Sequence, residues 1–116
     1  MKFLPLPDLY AIARLAPRDP LPAWAAGAFV SMTRTSDELS VVCLDSAVPA
    51  GIRADRGWRC VRAEGPLPLT AVGVAAEFTA VLARAGISAL IVGTFDTDYI
   101  LVKADRFEEA MVALGG

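Results

Sequence analysis

The most regular pattern of apolar and polar positions lies in the second half of the chain. Val74, Phe78, Val81, Leu82 and Ala85 recur at i, i+4, i+7, i+8 and i+11, which predicts a helix over 71–85. Gly73, Glu77, Ala80 and Arg84 line its flanking, more polar side. Thr70 is placed to cap its start, and Gly86 stands where a left-handed residue ends such helices. Before it, Trp58–Glu64 reads as a strand stopped by Gly65, Pro66 and Pro68. After it come two apolar runs, expected as strands over 88–94 and 99–103, joined by the polar Thr94–Asp98. Asp105 and Glu108 then make a capping-box-like start, and Phe107, Ala110, Met111 and Leu114 keep helical spacing to Leu114. The order from Trp58 is therefore βαββα, with no final strand.

The first half repeats this outline without clear helices. Asp8–Leu15 is strand-like after a proline-bearing lead-in, and Pro17, Pro20 and Pro22 then forbid regular structure until about Ala23. Ala28–Arg34 and Leu39–Leu44 read as a hairpin joined by Thr35–Glu38. Asp45–Gly57, with Pro49, Gly51 and Gly57, reads as a loop with room for one helical turn.

Composition narrows the chemistry. With 116 residues, 55% of them apolar, the chain can bury the core of one domain or of two half-size units. Eleven basic against thirteen acidic residues leave a net charge of −2, which gives no pull toward nucleic acid or anionic membranes. The longest apolar stretch, 71–85, is broken by Glu77 and Arg84 and falls short of the roughly 20 residues of a membrane span. Pro5 and Pro7 sit where a signal peptide would need an unbroken apolar run, so a cytoplasmic location is expected. The absence of histidine excludes His-based triads and acid/base chemistry within the chain. Cys43 and Cys60, 17 residues apart, lack metal or redox spacing and are expected as buried thiols, and neither a metal nor a cofactor is expected. Arg53, Arg56, Arg59 and Arg62, diluted by Asp55 and Glu64, read as a solvated face or as salt-bridge partners.

Gly86-Ile87-Ser88-Ala89, followed by Gly93-Thr94-Phe95-Asp96-Thr97-Asp98-Tyr99-Ile100-Leu101-Val102, resembles the signature of the CASTOR-like branch of the ACT-domain family. Glu38-Leu39-Ser40-Val41-Val42 and Gly65-Pro66-Leu67 are shorter supporting matches, and the resemblance covers most of the chain. It implies an α/β fold of the α+β sandwich kind. Two ACT-like, ferredoxin-like βαββαβ halves, a degenerate one over 1–57 and a second over 58–116, would form antiparallel sheet with helices on one face. It also implies a non-enzymatic regulatory module that binds an amino-acid-like small molecule between ACT units and works as a homodimer or higher oligomer. A neighbouring chain would then cover the edge left by the absent last strand. The ligand-facing positions implied are Ser40 and Val41, Val72, Gly73 and Val74, and Thr94, Phe95 and Asp98. Ala71 stands where the arginine sensors of this branch have an acidic residue, which argues against arginine itself.

Physical chemistry accommodates that set, since a helix start offers unpaired N–H groups to a carboxylate and Asp98 offers a charge to an ammonium group. The same residues have plainer readings. Asp96 and Asp98 suit a turn, Gly73 suits close packing, Ser40 suits the wet side of a strand, and Phe95 suits a core. Two other functions remain open from sequence: an interaction protein with a decayed pocket, and an enzyme using Asp96 and Asp98, for which no nucleophile or cofactor loop is present.

Overall fold

The apolar runs of the first half become strands in the computed structural model, which describes residues 1–115. The chain divides into two units, Asp8–Trp58 and Met1–Pro7 with Arg59–Gly116.

In the first unit, β2 (Tyr10–Leu15), β3 (Ser31–Arg34), β4 (Leu39–Leu44) and the first half of β5 (Ala54–Ala63) make antiparallel sheet in the order β3-β4-β2-β5. Register is set by Leu15 opposite Leu39 and Tyr10 opposite Leu44. The Thr35–Glu38 joint closes by a Thr35 N–H to Glu38 carbonyl bond of 2.9 Å, while Thr35 Oγ1 accepts from the N–H groups of Asp37 and Glu38. Ala11, Ala13, Leu39, Val41, Cys43 and Val48 are buried together, and Trp24, Ala25 and Ile52 pack on them. The proline-rich connector and the Asp45–Ile52 loop, whose one helical turn is a short 3-10 piece at Asp45–Ala47, thus supply apolar cover where the second unit has helices.

Two boundaries differ from expectation. β3 starts at Ser31 and not at Ala28, because Phe29 is buried by turning its N–H onto the Tyr10 hydroxyl at 3.2 Å. β5 starts at Ala54 and not at Trp58. Gly57, read from sequence as a breaker, has φ 76° and sits in a bulge: two steps along β2, from Tyr10 to Ile12, match three along β5, from Trp58 to Asp55.

The second unit orders its strands β6-β7-β5-β1, where β1 is Phe3–Pro5, β6 Leu90–Gly93 and β7 Asp98–Lys103. β1 pairs antiparallel with β5, Phe3 opposite Ala63 and Pro5 opposite Val61. This corrects the expectation of a strand-deficient sheet. The place of the final strand is taken by the chain's own N-terminal residues, so oligomerisation loses its argument from a missing strand. Proline is tolerated there because β1 pairs on one side only.

Helices α1 (Val74–Arg84) and α2 (Phe107–Leu114) cover one face of this sheet. Phe78 and Leu82 of α1 and Ala110 and Leu114 of α2 meet Val61, Ala63, Ile100 and Val102. Phe3 stands edge-on to Phe78, ring centres 5.9 Å apart. α1 ends as its glycine predicts, with Gly86 at φ 72° and the Ile87 N–H on the Leu82 carbonyl. Its start is three residues later than expected, and Gly73, not Thr70, occupies the cap position. α2 follows a 3-10 turn at Ala104–Arg106 and has no side-chain cap. Glu109 instead pairs with Arg106 at 3.0 Å, and the Arg106 guanidinium also donates to the Ala85 and Gly86 carbonyls at the end of α1.

Among the clustered arginines, Arg56 pairs with Asp45 at 2.9 Å, and Arg59 lies 4.0 Å over the Phe107 ring. Cys43 and Cys60 are buried and free, and burial raises both thiol pKa values, that of Cys60 to about 12. Among the described residues no helix is long and apolar enough to cross a membrane.

Candidate functional site

Three segments of the second unit converge: the 65–73 loop, the joint between β6 and β7, and the start of α1. The joint is fixed from within. Gly93 and Asp98 face each other across the ladder, the Thr94 N–H donates to the Thr97 carbonyl at 2.8 Å, and the Thr94 hydroxyl meets the same carbonyl at 3.0 Å. Thr97 itself is buried, and its hydroxyl donates to the Ala63 carbonyl of β5 at 2.6 Å. The loop is then tied to the joint by a Leu67 N–H to Asp96 carbonyl bond of 2.6 Å. Gly65 permits this approach, since a Cβ there would lie 3.0 Å from the Asp96 oxygen and 3.1 Å from the Thr97 Cβ.

At the helix start, Gly73 adopts φ 77° and no side chain caps the first turn. The helix begins with the Glu77 N–H on the Gly73 carbonyl at 3.1 Å. The N–H groups of Val74, Ala75 and Ala76 therefore have no acceptor within the helix and carry the positive end of its dipole.

These parts enclose a cleft of about 340 Å³. It is lined by Gly73, Val74, Ala75 and Ala76 from the helix start, by Thr94, Thr97 and Asp98 from the joint and the start of β7, and by Leu67, Pro68, Leu69 and Ala71 from the loop. Asp98 is the one charged residue among those lining it. Its half-buried carboxylate has no hydrogen-bond or ion-pair partner among the described residues. Glu77, the acid of the first helical turn, lines a separate cavity of about 150 Å³ with Phe3, Phe78 and Val81, so it is not among the groups that line this cleft.

Of the residues expected at a ligand site, Gly73, Val74, Thr94 and Asp98 come together here. Phe95 is 81% exposed and lines a neighbouring groove with Pro66, Leu67, Pro68, Leu69 and Asp96. Val72 is 95% exposed and does not line the cleft. Ser40 and Val41 belong to β4 in the first unit, where Ser40 is half-buried between Arg14 and Thr33 in the ladder and Val41 is fully buried in that unit's core. Sequence reasoning missed the Leu67–Leu69 wall and Thr97. The Gly65-Pro66-Leu67 match pointed at the loop, but nothing local marks Thr97 as the buried residue of a polar joint.

An ACT domain family model matches residues 53–115, and a second model, of an N-terminal domain, matches residues 8–51. A search of curated protein sequences finds no match. Among solved structures, protein Atu0741 from Agobacterium tumefaciens is 39% identical, with a TM-score of 0.91 over 97% of this chain and 85% of that one. A Vibrio cholerae protein of unknown function, VC0802, described as a possible transport protein, is 23% identical with a TM-score of 0.79 over 97% and 88%. The ligand-free regulatory subunit of aspartate kinase from Thermus thermophilus is 15% identical with a TM-score of 0.68 over 99% and 96%, a likeness of fold.

Proposed function

The chain belongs to the ACT domain family, and from that premise we propose that it is a non-enzymatic, cytoplasmic regulatory module of the CASTOR-like branch, built of two ACT-type units, that senses an amino acid and acts through homo-oligomeric assembly. The observation that carries the ligand half of this reading is the cleft between α1 and the β6–β7 joint. Unpaired backbone N–H groups and an unpartnered carboxylate line the same cleft, a pairing of opposite charges that suits an α-amino acid zwitterion. Its carboxylate would accept from Val74, Ala75 and Ala76, and its ammonium group would donate to Asp98. Gly73, Val74, Thr94 and Asp98 are the proposed binding residues of this cleft. Val72 and Phe95 flank it, while Ser40 and Val41, the other positions the resemblance implies, lie on β4 of the first unit, with Val41 buried in that unit's core. A cleft of about 340 Å³ falls in the range of small-molecule sites, and it stands open where a decayed pocket would be filled by side chains.

The sensing role is tested by melting the purified protein with each common amino acid. A ligand at about 100 times its Kd adds roughly 2.7 kcal/mol of stability, which at this chain length is a shift of several degrees. Absence of any shift at millimolar concentrations overturns the proposal. Sedimentation with and without the ligand tests the assembly half, and a monomer in both states removes it.

A further inference from the structure

We infer that the ligand is an α-amino acid with a large, neutral, apolar side chain, and that the groove between the Pro66–Leu69 loop and Phe95 receives that side chain. The inference rests on the reading just given and specifies what its ligand must be.

Once the ammonium group is assigned to Asp98 and the carboxylate to the start of α1, the cleft has no further charged lining residue to offer. Its remaining wall is Leu67, Pro68, Leu69 and Ala71. The first three also line the neighbouring groove, of about 340 Å³, whose other lining residues are Pro66, Phe95 and Asp96. The groove therefore adjoins the apolar wall of the cleft along the Leu67–Leu69 segment. Leu69, 70% exposed, and Phe95, 81% exposed, leave large apolar surface in water there, which a ligand side chain would cover.

Asp96 is the feature that favours a cationic side chain instead, and magnitudes decide between the two. Its carboxylate is exposed, so water screens it and a cation gains at most about fivefold. Three carbons laid against Phe95 and Leu69 gain roughly fiftyfold when fully covered and about eightfold when half covered. An apolar side chain wins.

Isothermal titration of the full chain with L-leucine, L-phenylalanine, L-alanine, L-arginine and L-glutamate tests this. Leucine or phenylalanine is expected to bind at least about eightfold more tightly than alanine, and arginine and glutamate more weakly than leucine. Phe95→Ala, at an exposed position that folding does not need, should shrink the leucine-to-alanine ratio to below about threefold. Leu69→Glu should move preference toward arginine. Tighter binding of arginine or glutamate than leucine by the parent protein, or a ratio unmoved by Phe95→Ala, overturns the inference and leaves amino-acid sensing standing. Binding of none of the five overturns the inference, and absence of a melting shift with every common amino acid overturns the reading beneath it as well.

Discussion

Replacing Thr97 by valine keeps the shape of a 4%-exposed side chain and removes one hydroxyl. That hydroxyl donates to the carbonyl of Ala63, a residue with no exposed surface, at 2.6 Å. Leaving a buried acceptor without that donor costs about 1–3 kcal/mol, whereas an exposed polar-to-apolar change stays within about 0.5 kcal/mol. For a chain of this size each kcal/mol lowers the melting temperature by roughly 4–6 °C. Thr97→Ser restores the donor and should recover most of the loss, less a small packing penalty for the missing methyl. Urea denaturation of parent, Thr97→Val and Thr97→Ser, with unchanged m-values, measures both. The same bond ties the β6–β7 joint to β5, so Thr97→Val should also weaken ligand binding while Thr97→Ser leaves it close to parent. A Thr97→Val loss below about 0.5 kcal/mol, or equal losses for the two variants, would refute the claim that this hydroxyl holds the joint.

Asp98→Ala should weaken binding by about 2–5 kcal/mol with little change in stability, because it removes the partner of a desolvated ammonium group, while Asp96→Ala, exposed in the turn, leaves the cleft itself intact. Titration calorimetry separates the two. Gly73→Ala should cost about 1–2 kcal/mol in a denaturation experiment. Nothing lies within 4 Å of a Cβ there, so the whole cost is the left-handed φ of 77°. The Cys60 thiol, raised by burial to about 12, holds its proton in the folded state while the unfolded chain loses it near pH 9. Between those values the unfolded state binds fewer protons, so stability is full below pH 9 and falls as pH rises toward 12. Cys60→Ala, measured by denaturation from pH 8 to 10.5, should flatten that decline.

What could be read from the sequence follows from which signals are local. β4 matches its apolar run end to end, and α1 keeps its predicted face because helical spacing is carried by the side chains themselves. Its start moved because the left-handed φ of Gly73 ends the turn of the preceding loop, a backbone property that a glycine permits without requiring. β1 was hidden by Pro5 and Pro7, which argue against a strand unless it is known to lie at an edge, and that is a fact about the sheet. Gly57 looked like a breaker for a similar reason, since a bulge inside a strand and a turn between strands carry the same residue. At the site, Asp98 and Gly73 were legible through their resemblance to a family motif. The Leu67–Leu69 wall was not, because its place is set by the Leu67 to Asp96 bond and the glycine beneath it.

If the cleft is the sensing site, an amino acid sits between the start of α1 and the β6–β7 joint. The direct test is to titrate L-leucine into isotope-labelled protein and follow the backbone amide resonances. Saturable shifts concentrated at Val74, Ala75 and Ala76 and across Thr94–Asp98, abolished by Asp98→Ala, are the predicted result. Saturable shifts elsewhere with these amides unmoved, or no shifts with leucine or any other amino acid, would contradict it.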